Sequence, residues 1–378
     1  MSDLWILAGQ SNMEGVGLLR DVEPPSDKVR VFAHRGEWER AEEPLHWLME
    51  SPDPVHAELW GVSQADLPSV RQEVRRTRLT GAGLGLPFAK AVAEATGTGI
   101  DLVPCAHGGT SMDQWSPEKK GLGGGSLYGA MLRRTRRALE TGGDARLKGI
   151  LWYQGESDAN PEGAAVYFER MKRLIAATRA DLDAPNLPFY LVQLGVFATT
   201  DAVGWAGSMA WSQIRELQRQ LPDEVPNTAV APAIDLELDD FIHIGTQGLK
   251  RLGRRLANIA LSNVYGQSAP QAISLAEVTK EGPTIRVSFK GVSGRLKACD
   301  PGGRIPGFAI GQAGAPPEPS AIYKAQIARD DPSQVILYTQ EEVPGDSELW
   351  YGWGLAPFCQ LTDQADMAVP AFGPIPLR

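Results

Sequence analysis

Residues 4–15 read "LWILAGQSNMEG", an apolar run of strand length that ends in Gly9-Gln10-Ser11-Asn12. A buried strand that hands a serine to a loop is how parallel α/β sheets present reactive groups, at the carboxyl ends of their strands. Runs of the same kind recur at residues 29–33, 100–105, 149–153, 189–194 and 228–231. Between them lie "LPFAKAVAEATG", "SLYGAMLRRTRRALETGG", "AAVYFERMKRLIAATRADL" and "SMAWSQIRELQRQLP", each with apolar residues at helical spacing. Strand and helix in repetition predict a parallel sheet covered on both faces. Gly97 after "AVAEAT" and Gly142-Gly143 after "RRALET" supply the stops that such helices need.

Past "LSNVYGQSAPQ" the texture changes to short β-rich runs, "TIRVSF", "GFAIG", "AIYKAQIA", "QVILYT" and "ELWYGWG", separated by turn clusters such as "DPGG" and "DDPS". The expected organisation is therefore an α/β domain over residues 1–265 and a small antiparallel β-sandwich over residues 266–378.

The 378 residues carry a formal charge of -9, with acidic side chains spread along the chain. This pattern lacks the basic footprint that nucleic acid or anionic lipid requires and suits a neutral or polar small substrate. No apolar run approaches the roughly 18 to 20 residues that span a bilayer. The opening "MSDLWILAG" has no basic n-region or small-residue cleavage site, so the chain as written is expected to carry no export signal. Cys105, Cys299 and Cys359 are too few and too scattered for a disulfide framework, leaving at most one Cys299–Cys359 bridge in an exported protein.

Metal and nucleotide signatures are missing: there is no His-Glu-x-x-His, no paired Cys-x-x-Cys and no phosphate loop. "TGAGLGLPFAKAV" follows a polar basic segment and reads as a turn entering a helix, while "KGLGGGSLYG" reads as a flexible loop. No metal or cofactor is expected.

Ser11 lacks the second glycine of the Gly-x-Ser-x-Gly elbow, so that hydrolase type is disfavoured, and as an isolated residue it reads equally as a helix cap. Its candidacy rests on partners. A serine hydroxyl needs a base, and the base needs an acceptor that fixes its tautomer. "DLELDDFIHIGTQGLKRLG" places Asp240 and His243 three residues apart, before a helix beginning near Thr246, so both side chains face one side of a turn. Of the five histidines, His34, His46 and His56 lie in charged or Pro-rich segments without such a carboxylate. Two further strand ends, His107-Gly108-Gly109-Thr110 and Gln154-Gly155-Glu156-Ser157, offer donors for an oxyanion: the Ser11 and Gly108 backbone N–H groups and the Gln154 amide. Gln10, Asn12, Gly109, Thr110 and Trp115 are the candidates for contact with substrate, Trp115 as a sugar-stacking surface.

Together "GQSNM", "CAHGGTSMDQW", "WYQGESD" and "DDFIHIGTQGLKRLG" resemble the sialate O-acetylesterase-like branch of the SGNH hydrolases, in carbohydrate esterase family six, and the C-terminal "LWYGWGLAPFCQLTDQADMAVPAFGPIPLR" is similar to the end of bacterial members. The resemblance implies a flavodoxin-like three-layer α/β sandwich with a parallel sheet. It implies Ser11 as nucleophile, His243 as base and Asp240 as its partner, with Ser11, Gly108 and Gln154 as oxyanion donors. Some related acetylxylan esterases use the glutamate of the Gln-Gly-Glu motif, which makes Glu156 a rival to Asp240. The expected activity is removal of O-acetyl groups from an acetylated sugar without a cofactor. An acetylxylan or other hemicellulose esterase, and a non-catalytic carbohydrate-binding protein on an esterase fold, are the competing readings.

Overall fold

The apolar run before Ser11 forms β1 (Ser2–Gly9), in which Leu4, Trp5, Ile6, Leu7 and Ala8 are all buried. The computed structural model describes residues 1–201, 203–298 and 302–377. Around β1 assemble β2 (Val29–Phe32), β3 (Trp38–Arg40), β4 (Gly99–Pro104), β5 (Ala145–Tyr153), β6 (Phe189–Gln193) and β7 (Thr228–Pro232). Their order in the sheet is β3-β2-β4-β1-β5-β6-β7. All neighbours run parallel except β3, which closes the edge antiparallel to β2 and has no counterpart among the expected strands. Strands buried on both faces must be apolar at every position rather than at alternate ones. That is why residues 4–8 of β1, 150–153 of β5 and 189–192 of β6, all buried, read as unbroken hydrophobic runs.

Helices flank the sheet in pairs, Gly85–Thr96 against Thr246–Asn263 and Pro161–Asp181 against Gly204–Glu224. Asn160 caps one of them by accepting from Gly163 N at 2.9 Å, and Gly97 ends another in the left-handed conformation. The segment "KGLGGGSLYG" is not a loop throughout: Pro117–Gly125 coils into 3-10 turns before helix Leu127–Thr141, which Ser126 caps through Gly129 N.

The β-rich remainder contains a four-stranded antiparallel sheet, in the order Ser274–Glu281, Thr284–Lys290, Gln334–Thr339 and Ile322–Ile327. A three-stranded one follows, of Phe308–Gln312, Ser347–Tyr351 and Phe372–Pro376. Ile285, Val287 and Phe289 alternate inward from one strand, the period-two signature of a sheet with one wet face.

Buried polar contacts join this region to the α/β part. Arg215 donates to the carbonyls of Leu194 and Gly195 at the end of β6, and to those of Gly352, Gly354 and Leu355. Gln193 pairs with both the N–H and the C=O of Ala371. Arg255 holds Asp235 on one side and the carbonyl of Asp366 on the other. Cys105 and Cys359 are buried free thiols, and Cys299 lies outside the described residues.

Candidate active site

Ser11 stands where β1 stops. Gly9 makes the exit possible: its φ is 132°, and a Cβ there would sit 2.1 Å from the carbonyl oxygen of Tyr153 on β5. Gln10 N then donates to that same carbonyl at 2.8 Å, and the chain turns into a single helical turn, Ser11–Glu14. Gln10 is its N-cap residue and makes no side-chain cap, so Ser11 is not spent on capping and opens the helix half-buried. The first N–H groups of a helix have no partner within it, which leaves the Ser11 N–H unclaimed by the helix.

The histidine arrives on the segment after β7. Asp240 Oδ1 accepts from Ile242 N at 2.8 Å and from His243 N at 2.7 Å, which folds the turn, and Oδ2 lies 2.7 Å from His243 Nδ1. With the proton on Nδ1, Nε2 presents a lone pair, and it lies 2.9 Å from Ser11 Oγ. Burial pushes the Asp240 carboxyl up, but its hydrogen bonds with His243 and the Ile242 and His243 N–H groups outweigh that and hold it below its ordinary value. It is an ionised acceptor at neutral pH. The array is Asp, His, Ser in hydrogen-bond sequence, the geometry that lets a serine oxygen attack while its proton passes to an imidazole.

Glu156 does not reach the imidazole. Its Oε1 accepts from Asn12 Nδ2 at 2.8 Å, while Asn12 Oδ1 accepts from Ile244 N at 3.0 Å. Asn12 thus clasps the histidine turn to the serine turn. Gln10, with its amide nitrogen facing acceptors, donates to the Thr110 carbonyl at 3.1 Å and to Glu156 Oε2 at 3.3 Å. Both residues are buried, so they knit strand ends together and are not free for substrate.

Other expected positions also turn inward. Gln154 is fully buried and gives its amide to the Thr110 carbonyl at 3.1 Å and to Asp158 Oδ2 at 2.6 Å, so it is not available to an oxyanion. Asp158 itself accepts from Met112 N at 2.8 Å and so ties the two glycine-rich strand ends together. Trp115 is fully buried, edge to face with Trp152 at 5.1 Å, and donates to Thr110 Oγ1 at 3.0 Å. Its ring is core packing, not a sugar platform, and Thr110 is equally occupied, donating to the His107 carbonyl at 2.7 Å. Gly109, at φ 69° with no atom near its notional Cβ, stays open.

Gly108 is brought against Ser11, with its notional Cβ 3.5 Å from Ser11 Cβ. Its N–H, however, donates to Glu14 Oε2 at 2.9 Å. Sequence reasoning passed over Glu14, although its place three residues after Ser11 in a helical turn put it on the same face. Burial pushes its carboxyl up, against the pull of Arg78, whose guanidinium lies 3.8 Å away.

Four histidines also gather behind the site. His34, His46, His56 and His107 are all buried, with the His56 and His107 rings stacked at 5.3 Å. Among the described residues no group of three or more His, Cys, Asp or Glu side chains is placed to hold a metal ion, and no helix is long and apolar enough to cross a membrane.

Comparison with known proteins adds chemistry to this geometry. Residues 1–262 match a family model described as carbohydrate esterase, sialic acid-specific acetylesterase. A probable carbohydrate esterase from Arabidopsis thaliana is 31% identical over 283 residues, covering 69% of this chain and 91% of the relative. The crystal structure of that plant locus superposes with a TM-score of 0.54 at 30% identity, over 70% of this chain and 99% of the other. The crystal structure of a carbohydrate acetylesterase from Xanthomonas citri covers 98% of this chain and 80% of its own length, with a TM-score of 0.71 and 25% identity.

Proposed function

Because the chain belongs to the sialic acid-specific acetylesterase family of carbohydrate esterases, we propose that it removes O-acetyl groups from a sialic acid or a related sugar through an acetyl-Ser11 intermediate. It is a carboxylic ester hydrolase. The observation that carries the serine mechanism is the unbroken run from Asp240 Oδ2 through His243 to Ser11 Oγ, at 2.7 and 2.9 Å.

In the first step His243 Nε2 takes the Ser11 proton as Oγ attacks the acetyl carbonyl carbon. The carbonyl oxygen becomes the oxyanion and meets the Ser11 N–H. Collapse breaks the bond to the sugar oxygen, which receives the proton from His243. Water then repeats the sequence on the acetyl-enzyme, releasing acetate and restoring Ser11. Asp240 keeps the Nδ1 tautomer and balances the imidazolium.

Replacement of Ser11 by alanine removes one hydroxyl from a half-buried turn. The variant is expected to keep its circular dichroism spectrum and lose p-nitrophenyl acetate turnover by at least about a thousandfold. Retention of most of the turnover would refute Ser11 as the nucleophile. Acetate release from O-acetylated sialic acid, compared with acetylated xylan, tests the substrate: faster release from xylan would overturn the sialate assignment.

A further inference from the structure

Gly108 and Ser11 come from different strand ends, and backbone flexibility alone would let the His107–Thr110 turn drift. Gln154 and Trp115 hold Thr110 and the Gly9 carbonyl holds His107 N, but the bond that ties Gly108 itself to the serine turn runs from Gly108 N to Glu14 Oε2, 2.9 Å, on the same helical turn as Ser11. The fit is close: a methyl group at Gly108 would lie 3.2 Å from Glu14 Oε2 and 3.5 Å from Ser11 Cβ. Glu14 is itself held. It is 7% exposed, and Arg78, whose own guanidinium is anchored on the carbonyls of His46 and Thr80, stands on its Oε1 side at 3.8 Å. A buried carboxylate is costly unless paired and hydrogen-bonded, and here the Arg78 guanidinium and the Gly108 N–H supply both.

We infer that Glu14 is a positioning residue of the esterase reaction, setting the Gly108–Gly109 turn against Ser11 through the Gly108 N–H. The inference rests on the reading of Ser11 as nucleophile. Glu14 makes no hydrogen bond to the His243 imidazole; its side chain meets Gly108 N and Arg78. It acts by keeping the Gly108–Gly109 turn in register with the attacking oxygen, where a displacement of about 1 Å costs on the order of a hundredfold in rate.

The test is steady-state kinetics on p-nitrophenyl acetate for Glu14→Ala, Glu14→Gln and Ser11→Ala, each checked for folding by thermal melt. Glu14→Ala is expected to lower kcat on the order of a hundredfold with KM little changed. Glu14→Gln, whose amide oxygen accepts the same N–H, is expected to recover most of that loss. A folded Glu14→Ala enzyme with wild-type kcat overturns the inference, as does a Gln variant as impaired as the Ala variant. Should Glu14→Ala fail to fold, Glu14→Asp decides, because it keeps the charge but draws the carboxylate back from the Gly108 N–H by one methylene: a lowered kcat supports the inference and an unchanged one overturns it. Full activity in Ser11→Ala would instead sink the underlying mechanism, so the two failures are distinguishable.

Discussion

His243 Nδ1 lies 2.7 Å from Asp240 Oδ2, while the rival carboxylate, Glu156, is taken up by Asn12 at 2.8 Å. Asp240→Asn is therefore expected to lower kcat on a small acetyl ester on the order of a thousandfold, by freeing the imidazole to adopt the wrong tautomer. Glu156→Gln should stay within roughly tenfold of wild type, since it alters a support and not the base. Comparing the two turnover numbers settles the assignment, and the reverse ranking would defeat it.

Asn12 joins three elements through one amide: Glu156, the carbonyl of Ile242 and the N–H of Ile244. Asn12→Ala should loosen the histidine turn, lowering kcat by about tenfold or more, as small displacements at a reacting centre do. A variant with unchanged kcat at wild-type thermal stability would show that the turn holds its place without this clasp.

Gln154 gives a separate check. Its amide serves the Thr110 carbonyl and Asp158, both in the interior. Gln154→Leu is expected to cost about 1 to 3 kcal/mol of stability by taking one donor from each of those buried acceptors. Measured on the folded fraction, kcat should change by less than about tenfold, whereas an oxyanion donor would show a loss of a hundredfold or more.

The buried imidazoles tie stability to pH. Burial, then Arg134, holds His34 well below its ordinary value; burial, then His107, does the same to His56; and burial, then Arg78, takes His46 down to about 3. A histidine kept neutral by folding is protonated first in the unfolded chain. Stability is thus full above about pH 6.5 and is lost as pH falls toward the folded value, at about 1.4 kcal/mol per pH unit for each ring. Glu43, raised by burial to about 7, and Glu14, also raised by burial, act oppositely, their contribution fading as pH rises from near 4.5. Glu156 and Asp158 are raised by burial as well, so the slope of the whole protein between pH 6.5 and pH 5 is the balance of three rings against four carboxyls. His56→Leu removes one ring, with both nitrogens unpartnered, so its denaturant midpoint should fall less, or rise more, than that of the parent protein as pH drops from 6.5 to 5. Equal slopes for the two proteins would contradict this.

The parallel sheet was legible because doubly buried strands must be continuously apolar, and Asp240 with His243 because three residues of separation puts both on one turn. Gln154 and Trp115 were misread for a common reason. Residue type says that an amide can donate and an indole can stack, but the direction each faces is decided by Asp158, Thr110 and Trp152, supplied by the tertiary fold. The histidine cluster was hidden similarly: His34, His46 and His56 stand among charged or Pro-rich neighbours in sequence, and only the assembled chain brings them to His107. Glu14 was within reach, in the same helical turn as Ser11, but its partner Gly108 is 94 residues away.

Arg215 gives the C-terminal region a meaning beyond attachment. Burial pushes its guanidinium down to about 9, and among its acceptors are the carbonyls of Gly352, Gly354 and Leu355. A gene fragment ending near residue 265 would encode every residue of the triad, yet its product would carry a cation stripped of those acceptors at the end of the strand next to β7. The truncated product is therefore expected to melt well below the full chain, because a buried guanidinium without acceptors is costly.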